Sequence, residues 1–467
     1  MRAENSWEFL AGTVRKTLKR LEELGAELAE AFFSATWTTE VTIRNSEVLA
    51  ENVMEDAGVG FRVAVSGNRV GFACTNVVNT EKAVFEAGEK ALSIAKSSAP
   101  VPDFALPPSL KVPMVQGLFD SAVLDARVEE SVNIARRMIQ STETVDKRIT
   151  AKGGQVSISY IQRGVVNSLG VDVEAKETQV GAGVYGTGRR NGEVTPSCFD
   201  IELKRCLDLH PEEIGDAVGQ MIIAQFNPKP VESFEGTVIF EPEAVSYQLC
   251  DAMIGALNGG NVGAGSSPWI GKLGETVASE NLTVVDNGVL DGGFASRSFD
   301  DEGYPSQATT LISKGTLKSF LHNTTTSNKL GMQNTGNASR SGGGFEMTKQ
   351  IIGNGYKAKP EVYPSNLVIE AGRKTKHQLT SDVKRGVLAE TMGGFVQAGS
   401  GLISAQLVRA HYIEKGEIKH PIKGGMVSGI AFDWLKQIDE IGNDGKQFFN
   451  SVVPSVRIEK VKIIGSR

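Results

Sequence analysis

The sequence predicts an α+β protein with two domains, and three observations support this prediction. Glycine is abundant, at 52 residues, and much of it lies at hairpin-like or loop positions, as is typical of antiparallel sheets. Runs rich in valine, threonine and phenylalanine alternate in the manner of strands, and amphipathic helical patterns stand between them. The length of 467 residues is enough for two or three domains, each with an ample core. We therefore expect N-terminal helices packed on an antiparallel sheet, followed by a strand-rich C-terminal domain with a central helix.

The best candidate for a domain boundary is the sequence NPKP at 227–230, because its two prolines interrupt regular structure. It divides the chain into an N-terminal domain, 1–228, and a C-terminal domain, 229–467. A second proline-rich segment, 99–117, is predicted to be a linker or an extended crossing segment.

The N-terminal domain is predicted to contain four helices and several strands. Asn5 or Ser6 can cap the first helix, because a short polar side chain accepts a hydrogen bond from the first turn. The sequence SGN at 66–68 predicts a hairpin turn between two strands. The predicted helices cover 5–23, 80–97, 125–140 and 210–226, and the predicted strands cover 30–37, 40–44, 58–65, 69–74, 147–163 and 171–185.

The middle of the chain carries the stretch around which the C-terminal domain is predicted to be built. A short apolar strand ends at Pro242, because proline cannot donate to a β-ladder. Proline also suits the first turn of a helix, and apolar residues recur at helical spacing from Val245 to Leu257. The sequence NGG that follows is a stop signal. The predicted elements are a strand at 237–240, a helix at 242–258 and a mobile glycine- and serine-rich loop at 259–274.

This strand, turn and helix resemble the segment that carries the zinc motif His-Glu-x-x-x-His in the TldD/PmbA (TldD/TldE) family of metallopeptidases. The alignment is anchored on Leu249 and Gly255. It places the motif's first histidine at Asp251, its glutamate at Ala252 and its second histidine at Ala256. The motif is absent in this register, and a slip of one residue leaves it absent, because the chain has no histidine in this region.

The absence of these residues is chemically important. A catalytic zinc needs about three protein ligands, usually imidazole, carboxylate or thiolate, and the motif glutamate acts as a general base toward the bound water. An aspartate followed by two alanines can neither hold zinc tightly nor replace that base. The favoured interpretation of 242–258 is therefore an amphipathic core helix. The alternative left open is a site that uses other ligands, such as Asp251 and Cys250.

Further segments resemble the same family in the same order along the chain. Phe299, Asp300, Glu302 and Gly303 match its Phe-Asp-x-Glu-Gly segment. The sequence GVGFRVAVSGNRVGFACTN, which precedes a predicted helix, matches its N-terminal signature. Other matching segments lie at 311–320, 330–331, 334–340, 393–409, 416–418 and 443–445. The resemblance spans most of the chain, which is identified as a member of the TldD/PmbA family.

The resemblance implies a subunit of the TldE (PmbA) type, which lacks the zinc motif and pairs with a TldD-type subunit. The chain also lacks the C-terminal cysteine of the TldD type, since its last cysteine is Cys250. Such a chain has no catalytic residue, metal or cofactor of its own, and zinc is expected in the TldD-type partner. The heterodimer would degrade or mature unfolded, extended peptides inside a cavity. The older family name, modulator of DNA gyrase, is weak evidence for contact with DNA.

Two alternatives of other classes stay open. One is a homodimeric peptide-binding protein without catalysis, which would not exchange subunits with a TldD-type chain. The other is an independent hydrolase with ligands outside the family motif, in which Asp251 acts with residues from elsewhere in the chain. The two alternatives differ in what the purified chain does alone, since only the second cleaves peptides without a partner.

Composition argues against several other classes of protein. A net charge of −6 and a pI of about 5.7 argue against a dedicated nucleic-acid binder, which is more often basic. The sequence has no apolar run of about 18 residues, so no membrane span is expected. The polar N-terminus lacks the apolar core of a signal peptide, and a cytoplasmic location is the default expectation. The four cysteines have no CxxC spacing and are expected to be reduced thiols. They are Cys74, Cys198, Cys206 and Cys250.

Four other patterns favour a structural interpretation over a functional one. The G-x-G-x-x-G sequence at 181–186 precedes a turn and not a helix, so a strand is expected there. The S-x-x-K sequence at 93–96 lies at the end of a surface helix without companion motifs. His411 and His420 flank a predicted turn and are expected to be solvated or hydrogen-bonded. The acidic sequence at 300–302 is predicted to be a turn with exposed carboxylates, because the remaining spacing of a calcium loop is missing.

Overall fold

The structure is a computed structural model that describes residues 2–340, 354–397 and 399–466. Its helices are α1 Arg2–Glu23, α2 Glu81–Ser97, α3 Ala122–Asp125, α4 Val128–Thr144, α5 Pro211–Ala224, α6 Pro242–Ala244, α7 Asp251–Leu257, α8 Gly259–Gly263, α9 Thr324–Leu330, α10 Lys376–Thr380 and α11 Ala431–Lys436. A π-helical turn over Val245–Cys250 joins α6 to α7, and a 3₁₀ turn spans Gly355–Lys357. None of the described helices is long and apolar enough to cross a bilayer.

The strands fall into two long series, one in each half of the chain. Those of the first half are β1 Leu28–Arg44, β2 Glu47–Val65, β3 Arg69–Thr75, β4 Ile149–Asn167, β5 Asp172–Arg190, β6 Glu193–Val194 and β7 Cys198–Lys204. Those of the second half are β8 Phe234–Phe240, β9 Val284–Asn287, β10 Ala308–Ser313, β11 Thr316–Leu317, β12 Ala338–Ser339, β13 Glu361–Val362, β14 Leu367–Ile369, β15 Arg385–Gly393, β16 Leu402–Glu414, β17 Glu417–Pro421, β18 Met426–Ile430, β19 Ile438–Ile441, β20 Lys446–Phe448, β21 Ser451–Val453 and β22 Val456–Ile464. This mixture of helices and strands confirms the predicted α+β class.

The first half of the chain folds into one antiparallel sheet. Within the described ranges its strand order is β3-β2-β1-β4-β5, and β6 and β7 both pair with β5. Two helix pairs pack on this sheet. The pair α1 and α2 shares a core with it through Trp7 and Phe33, and the pair α4 and α5 does so through Met138 and Ile222. The predicted packing of N-terminal helices on an antiparallel sheet is confirmed.

The other face of this sheet packs against the second half of the chain. Side chains on a strand alternate between the two faces of a sheet, so neighbouring residues of β1 point in opposite directions. Phe33 faces the helices, whereas Phe32 belongs to a separate buried cluster with Phe299 and Tyr356. The sheet is therefore covered on both faces, which explains why its long strands carry so many buried residues.

The second half of the chain forms two larger sheets and one small one within the described residues. One sheet has the order β15-β8-β22-β18-β16-β17, with β19 added to β22, and β15 also pairs with β16. That additional pairing closes five of the strands into a ring. The second sheet has the order β11-β10-β9-β14-β21-β20, and β12 pairs with β13. The central helix shares one core with the ring, and that core includes Leu249, Met253, Phe240 and Trp434.

Some predicted strands are longer in the structure. Two predicted strands merge into β1, because polar side chains at the predicted break find partners inside the sheet. Thr38 Oγ1 lies 2.8 Å from Ser159 Oγ of β4, and both residues are buried. The predicted strand at 58–65 is only the end of β2, whose polar first half pairs with β1. The proline-rich segment 99–117 contains no helix or strand, in agreement with the prediction.

The segment 259–274, predicted to be a mobile loop, is in part helical. Asn258 caps α8, because its side-chain oxygen accepts hydrogen bonds from two main-chain N–H groups of that helix. Farther on, Ser267 Oγ donates to the main-chain oxygen of Ala256 at 2.6 Å, and the side chain of Trp269 is buried. The prediction is wrong for the first five residues, since the cap overcomes the low helix propensity of glycine.

Candidate functional site

The candidate site lies at the end of β8, where the chain enters the central helix. β8 runs between β15 and β22, and Val238, Ile239 and Phe240 are fully buried. Pro242 is the first residue of α6, because its fixed φ suits a first helical turn and its missing N–H needs no partner there. The predicted strand, turn and helix are therefore present. The π-helical turn inside the helix is a feature that the periodicity did not indicate, and such turns are frequent at functional sites.

The positions aligned with the zinc motif offer one possible metal ligand, the carboxylate of Asp251. Ala252 and Ala256 are buried and belong to the same apolar core as Met253 and Leu257. Their methyl groups have no atom that could bind a cation or accept a proton. Within the part of the chain that the structure describes, no group of three or more histidine, cysteine, aspartate and glutamate side chains is placed to hold a metal ion. The residues present do not fit the family's zinc, which needs about three such ligands.

Asp251 is a half-buried carboxylate in an environment that favours its neutral form. Burial raises the pKa of Asp251 to about 6. The pKa of the Cys250 thiol is raised by burial and by the nearby charge of Asp251. Burial and the same charge also raise the pKa values of two neighbouring phenols, those of Tyr247 and Tyr363, and Glu243 contributes at Tyr247. A buried neutral thiol is a poor metal ligand and a poor nucleophile, because both roles need the thiolate.

Charged side chains surround the entrance of the central helix, and oppositely charged groups compensate them. Glu241 forms an ion pair with Lys376. Glu243 Oε2 accepts a hydrogen bond from Arg409 Nη2 at 2.6 Å, and Arg409 Nε donates to Thr391 Oγ1 at 2.8 Å. These contacts anchor the first turn of the helix to β15, β16 and α10, which is a structural role.

The two histidines singled out by the sequence do not face each other. His411 Nδ1 lies 3.2 Å from Glu390 Oε1, and its Nε2 donates to the main-chain oxygen of Ala224 at 3.0 Å. His420 instead stacks on Tyr412, with ring centroids 5.6 Å apart. The expectation of hydrogen-bonded histidines holds for both. His411 ties the end of α5 to the C-terminal ring of strands, and His420 Nδ1 donates to the main-chain oxygen of Pro421 at 3.1 Å.

The acidic turn at 300–302 contradicts its prediction. Asp300 and Glu302 have no exposed surface, and Asp301 is 7% exposed, so the prediction of exposed carboxylates is wrong. Asp300 Oδ1 accepts hydrogen bonds from the main-chain N–H groups of Glu302 and Tyr304, both at 2.9 Å. Burial and the neighbouring charge of Glu302 raise the pKa of Asp300 to about 7. The carboxylates are buried because arginines from distant parts of the chain compensate them.

Glu302 also belongs to a buried group of four charged residues that we call the seam quartet, which consists of Glu30, Arg62, Glu302 and Arg340. Arg62 Nη2 lies 2.6 Å from Glu30 Oε2 and 2.9 Å from Glu302 Oε1. Arg340 donates to the other oxygen of Glu30. All four side chains are at most 5% exposed. The quartet joins β1 and β2 of the first sheet to two segments of the second half, and these two segments carry part of the family resemblance.

The remaining sequence patterns have structural positions. The glycines of 181–186 lie within β5, as predicted, so no helix N-terminus follows them. Ser93 and Lys96 lie on the exposed side of α2. All four cysteines are free thiols: Cys198 and Cys250 are buried, and the other two are exposed.

Comparisons with known proteins agree with this architecture. Family models of the PmbA/TldA metallopeptidases match three successive parts of the chain: domain 1 matches 29–95, the central domain matches 122–226 and the C-terminal domain matches 233–465. Together these matches include both long series of strands and the central helix.

Individual relatives align over nearly the whole chain. Metalloprotease PmbA of Escherichia coli O157:H7 is 26% identical and covers 97% of this chain and 97% of the relative. A metalloprotease of Methanocaldococcus jannaschii is 25% identical over 91% of this chain and 92% of its own. The crystal structure of TldE from Thermococcus kodakarensis has the same fold, with a TM-score of 0.88 and 24% identity over 97% of this chain and 100% of that one. The chain belongs to the PmbA/TldD family of metallopeptidases.

Proposed function

We propose that this chain is the non-metal-binding, TldE-type subunit of a TldD/TldE-type zinc metallopeptidase that degrades or matures unfolded peptides. One observation carries the proposal. The central helix is present and packed, yet the aligned motif positions Ala252 and Ala256 are buried methyl groups and Asp251 is a single carboxylate. Zinc and the general base would therefore come from a TldD-type partner.

The physical role of such a subunit follows from its architecture. It would complete the cavity in which a peptide is cleaved, and the edge strands of its sheets would offer main-chain groups to an extended peptide. It would also stabilise the catalytic partner by burying part of its surface. A well-packed helix at the aligned motif position suits this role, because it maintains the shape of the site without its chemistry.

We also propose that the chain is divided near 227–230, into 1–228 and 229–467. Within the described ranges, the strands before and after this point belong to different sheets. Hydrogen bonds still cross the division, from Gly292 N to the main-chain oxygen of Gln116 and from His411 Nε2 to the main-chain oxygen of Ala224, both at 3.0 Å. The seam quartet would add a second connection, so the two parts are expected to move as one body.

The geometry disfavours the independent hydrolase. Cys250 is fully buried and its thiol pKa is raised, so it offers no thiolate to a metal or a substrate. Asp251 would then be a single ligand, and one carboxylate does not retain zinc against water and competing chelators.

The decisive experiment measures metal content and peptide cleavage for this chain alone, for a TldD-type partner from the same source, and for the mixture. We expect no stoichiometric zinc in this chain and no cleavage by it, with cleavage that appears or rises on mixing. A complex of the two chains should also elute together in size-exclusion chromatography. A homodimer that captures peptides and ignores the partner would reject the proposed role.

Two variants separate the proposed role from an independent activity. Asp251→Ala should leave cleavage by the mixture unchanged within twofold, on the order of the scatter for a neutral substitution. Asp433→Ala, which removes an exposed aspartate, is the matched control. If the chain alone holds one zinc and cleaves peptides, and Asp251→Ala but not Asp433→Ala abolishes both, the chain is an enzyme in its own right.

A further inference from the structure

A groove of about 530 Å³ lies where the hairpin of β5 and β6 meets β16. Its apolar floor consists of Phe226, Leu407, Val408 and Ile422, three of which are buried and one half-buried. Sites for small organic ligands have volumes of about 300–1,000 Å³ and combine apolar walls with a few polar groups. The groove is therefore large enough for a ligand of roughly amino-acid to dipeptide size.

Among the described residues, the rim of the groove carries one positive charge without a carboxylate at ion-pair distance, that of Arg190. Lys423 Nζ is paired with Glu193 Oε1 at 2.6 Å, so these two rim charges cancel. Arg190 also lines the groove, and no carboxylate oxygen in the described ranges lies within ion-pair distance of it. Its guanidinium carbon lies 5.8 Å from the ring centroid of Phe226 on the groove floor.

A second guanidinium lies near the same ring, but it is paired with a carboxylate. Arg148 lies 4.5 Å from the ring centroid of Phe226, but its Nε and Nη2 donate to the two carboxylate oxygens of Asp146 at 2.8 and 2.6 Å. Arg148 thus has a bidentate carboxylate partner, whereas Arg190 presents the same planar donors without one. A planar carboxylate can accept two parallel hydrogen bonds from such a guanidinium.

The groove walls also offer neutral hydrogen-bonding groups. Asn191, Asn227 and Gln406 line the groove, and all three residues are exposed. Side-chain amides both donate and accept hydrogen bonds, so they match the peptide-like amide of a ligand. One net charge fits a monoanion better than a phosphate ester or a polyanion, which would need several cations to offset its charge.

We propose that this groove binds an apolar carboxylate, with the carboxylate on Arg190, the apolar group on the floor of Phe226 and Val408, and a neighbouring amide on the wall. The ligand chemistry is that of an N-acylated apolar amino acid, which is also the chemistry of a peptide C-terminus. The inference does not depend on the proposed subunit role, because the groove belongs to this chain alone.

The test is calorimetric titration of the full chain with N-acetyl-leucine, with N-acetyl-leucinamide as the uncharged comparison. We expect saturable binding of the acid and at least about tenfold weaker binding of the amide, since a charge-assisted bidentate contact contributes about that factor or more. Equal affinities of acid and amide, or no saturable binding of the acid, would overturn the proposal.

Variants locate the binding to the groove. Arg190→Gln should weaken binding of the acid at least about tenfold, and Arg189→Gln, at an exposed neighbouring position outside the groove lining, should not. Val408→Glu places a negative charge on the floor of the groove. It should weaken binding of the acid more than Val408→Gln does, which adds a side chain of the same shape without the charge. Thermal melting of each variant shows that it is folded. If Arg190→Gln and Arg189→Gln bind alike, the assignment is rejected.

The two sources of the ligand are separated by a tripeptide that ends in leucine, used with a free and with an amidated C-terminus. Preferential binding of the free tripeptide indicates that the groove accepts a peptide end. Binding of N-acetyl-leucine without the tripeptide indicates a small-acid site. Each result supports the carboxylate chemistry, whereas equal binding of the free and amidated tripeptides contradicts it for peptide ends.

Discussion

We expect the seam quartet to be a main link between the two halves of the chain, and this expectation can be tested with a single substitution. Two carboxylates, Glu30 and Glu302, face two guanidiniums, Arg62 and Arg340, so the buried group is electrically neutral. Glu30 accepts from both arginines, whereas Glu302 accepts from Arg62 and from the main-chain N–H of Thr324 at 2.9 Å. Within the quartet, the substitution Glu30→Gln therefore leaves two guanidiniums with one carboxylate, in a region with almost no solvent exposure.

The expected cost follows from the loss of a buried partner. Removing one member of a buried ion pair typically costs about 3–5 kcal/mol, because the remaining charge stays desolvated and uncompensated. Glu30 has no exposed surface and Arg62 is 5% exposed, so solvent cannot replace the lost charge. We expect Glu30→Gln to lower the free energy of unfolding by about 4 kcal/mol.

The assay is urea unfolding followed by tryptophan fluorescence. The chain has four tryptophans, at Trp7, Trp37, Trp269 and Trp434, two in each half, so the signal reports on both halves. Because a chain with two halves need not unfold in one step, the midpoint of each transition is compared rather than one extrapolated free energy. Glu30→Gln should lower the midpoint and separate the unfolding of the halves.

The control removes a carboxylate from an exposed ion pair. Glu212 pairs with Arg137 at 2.5 Å on the surface, where both side chains are about half exposed. Glu212→Gln should cost less than about 1 kcal/mol, since exposed pairs contribute little. If the two variants shift the midpoint equally, the quartet does not hold the halves together and the reasoning fails.

Three further predictions concern single residues. The folded pKa of Asp251, about 6, exceeds its unfolded value. Its stabilising contribution is therefore complete below about pH 4 and is lost as the pH rises through 6. Asp251→Asn should remove this loss, so it should raise the urea midpoint at pH 8 but not at pH 4. For His411, burial lowers the pKa, but the hydrogen bond and the charge of Glu390 outweigh this effect and raise it. The contribution of His411 to stability is therefore complete below about pH 6.5 and is lost above the folded pKa. His411→Gln should lower the free energy of unfolding by about 1–3 kcal/mol at pH 6 and by less at pH 9. A Cβ on Gly215 would meet a main-chain oxygen of α4 at 2.5 Å, so Gly215→Ala should lower the melting temperature. A Cβ on Gly12 would meet nothing within 4 Å. Gly12→Ala should therefore raise the melting temperature, because alanine is favoured over glycine in a helix by up to about 1 kcal/mol.

Much of the secondary structure was predictable because it depends on residues close together in sequence. The central helix is an example: Pro242 marks its start, apolar residues recur at helical spacing, and Asn258 ends α7 and caps α8. The π-helical turn within it was missed, since a change from one hydrogen-bond register to another leaves the apolar spacing almost unchanged. The continuity of β1 was missed for a related reason, because Thr38 depends on a partner in β4.

The missing motif residues of the candidate site were predictable from the sequence, whereas the environment of Asp251 was not. The absence of histidine and glutamate at the aligned positions is a property of the sequence. The environment of Asp251 is a property of packing, since burial raises its pKa and Tyr363 approaches from more than one hundred residues away. Acidic residues at 300–302 were predicted to be exposed because isolated carboxylates usually are.

The sequence by itself determined the class of fold, the order of its elements, the family and the missing zinc motif, since each rests on residue identity or on spacing within a few turns. Only the tertiary structure decided which charges are buried and which are free. Glu30 and Arg340 meet across 310 residues, whereas Arg190 lines a groove whose carboxylate, Glu193, is paired with Lys423. The physical reason is that the cost of burying a charge depends on partners that folding brings together from distant parts of the chain.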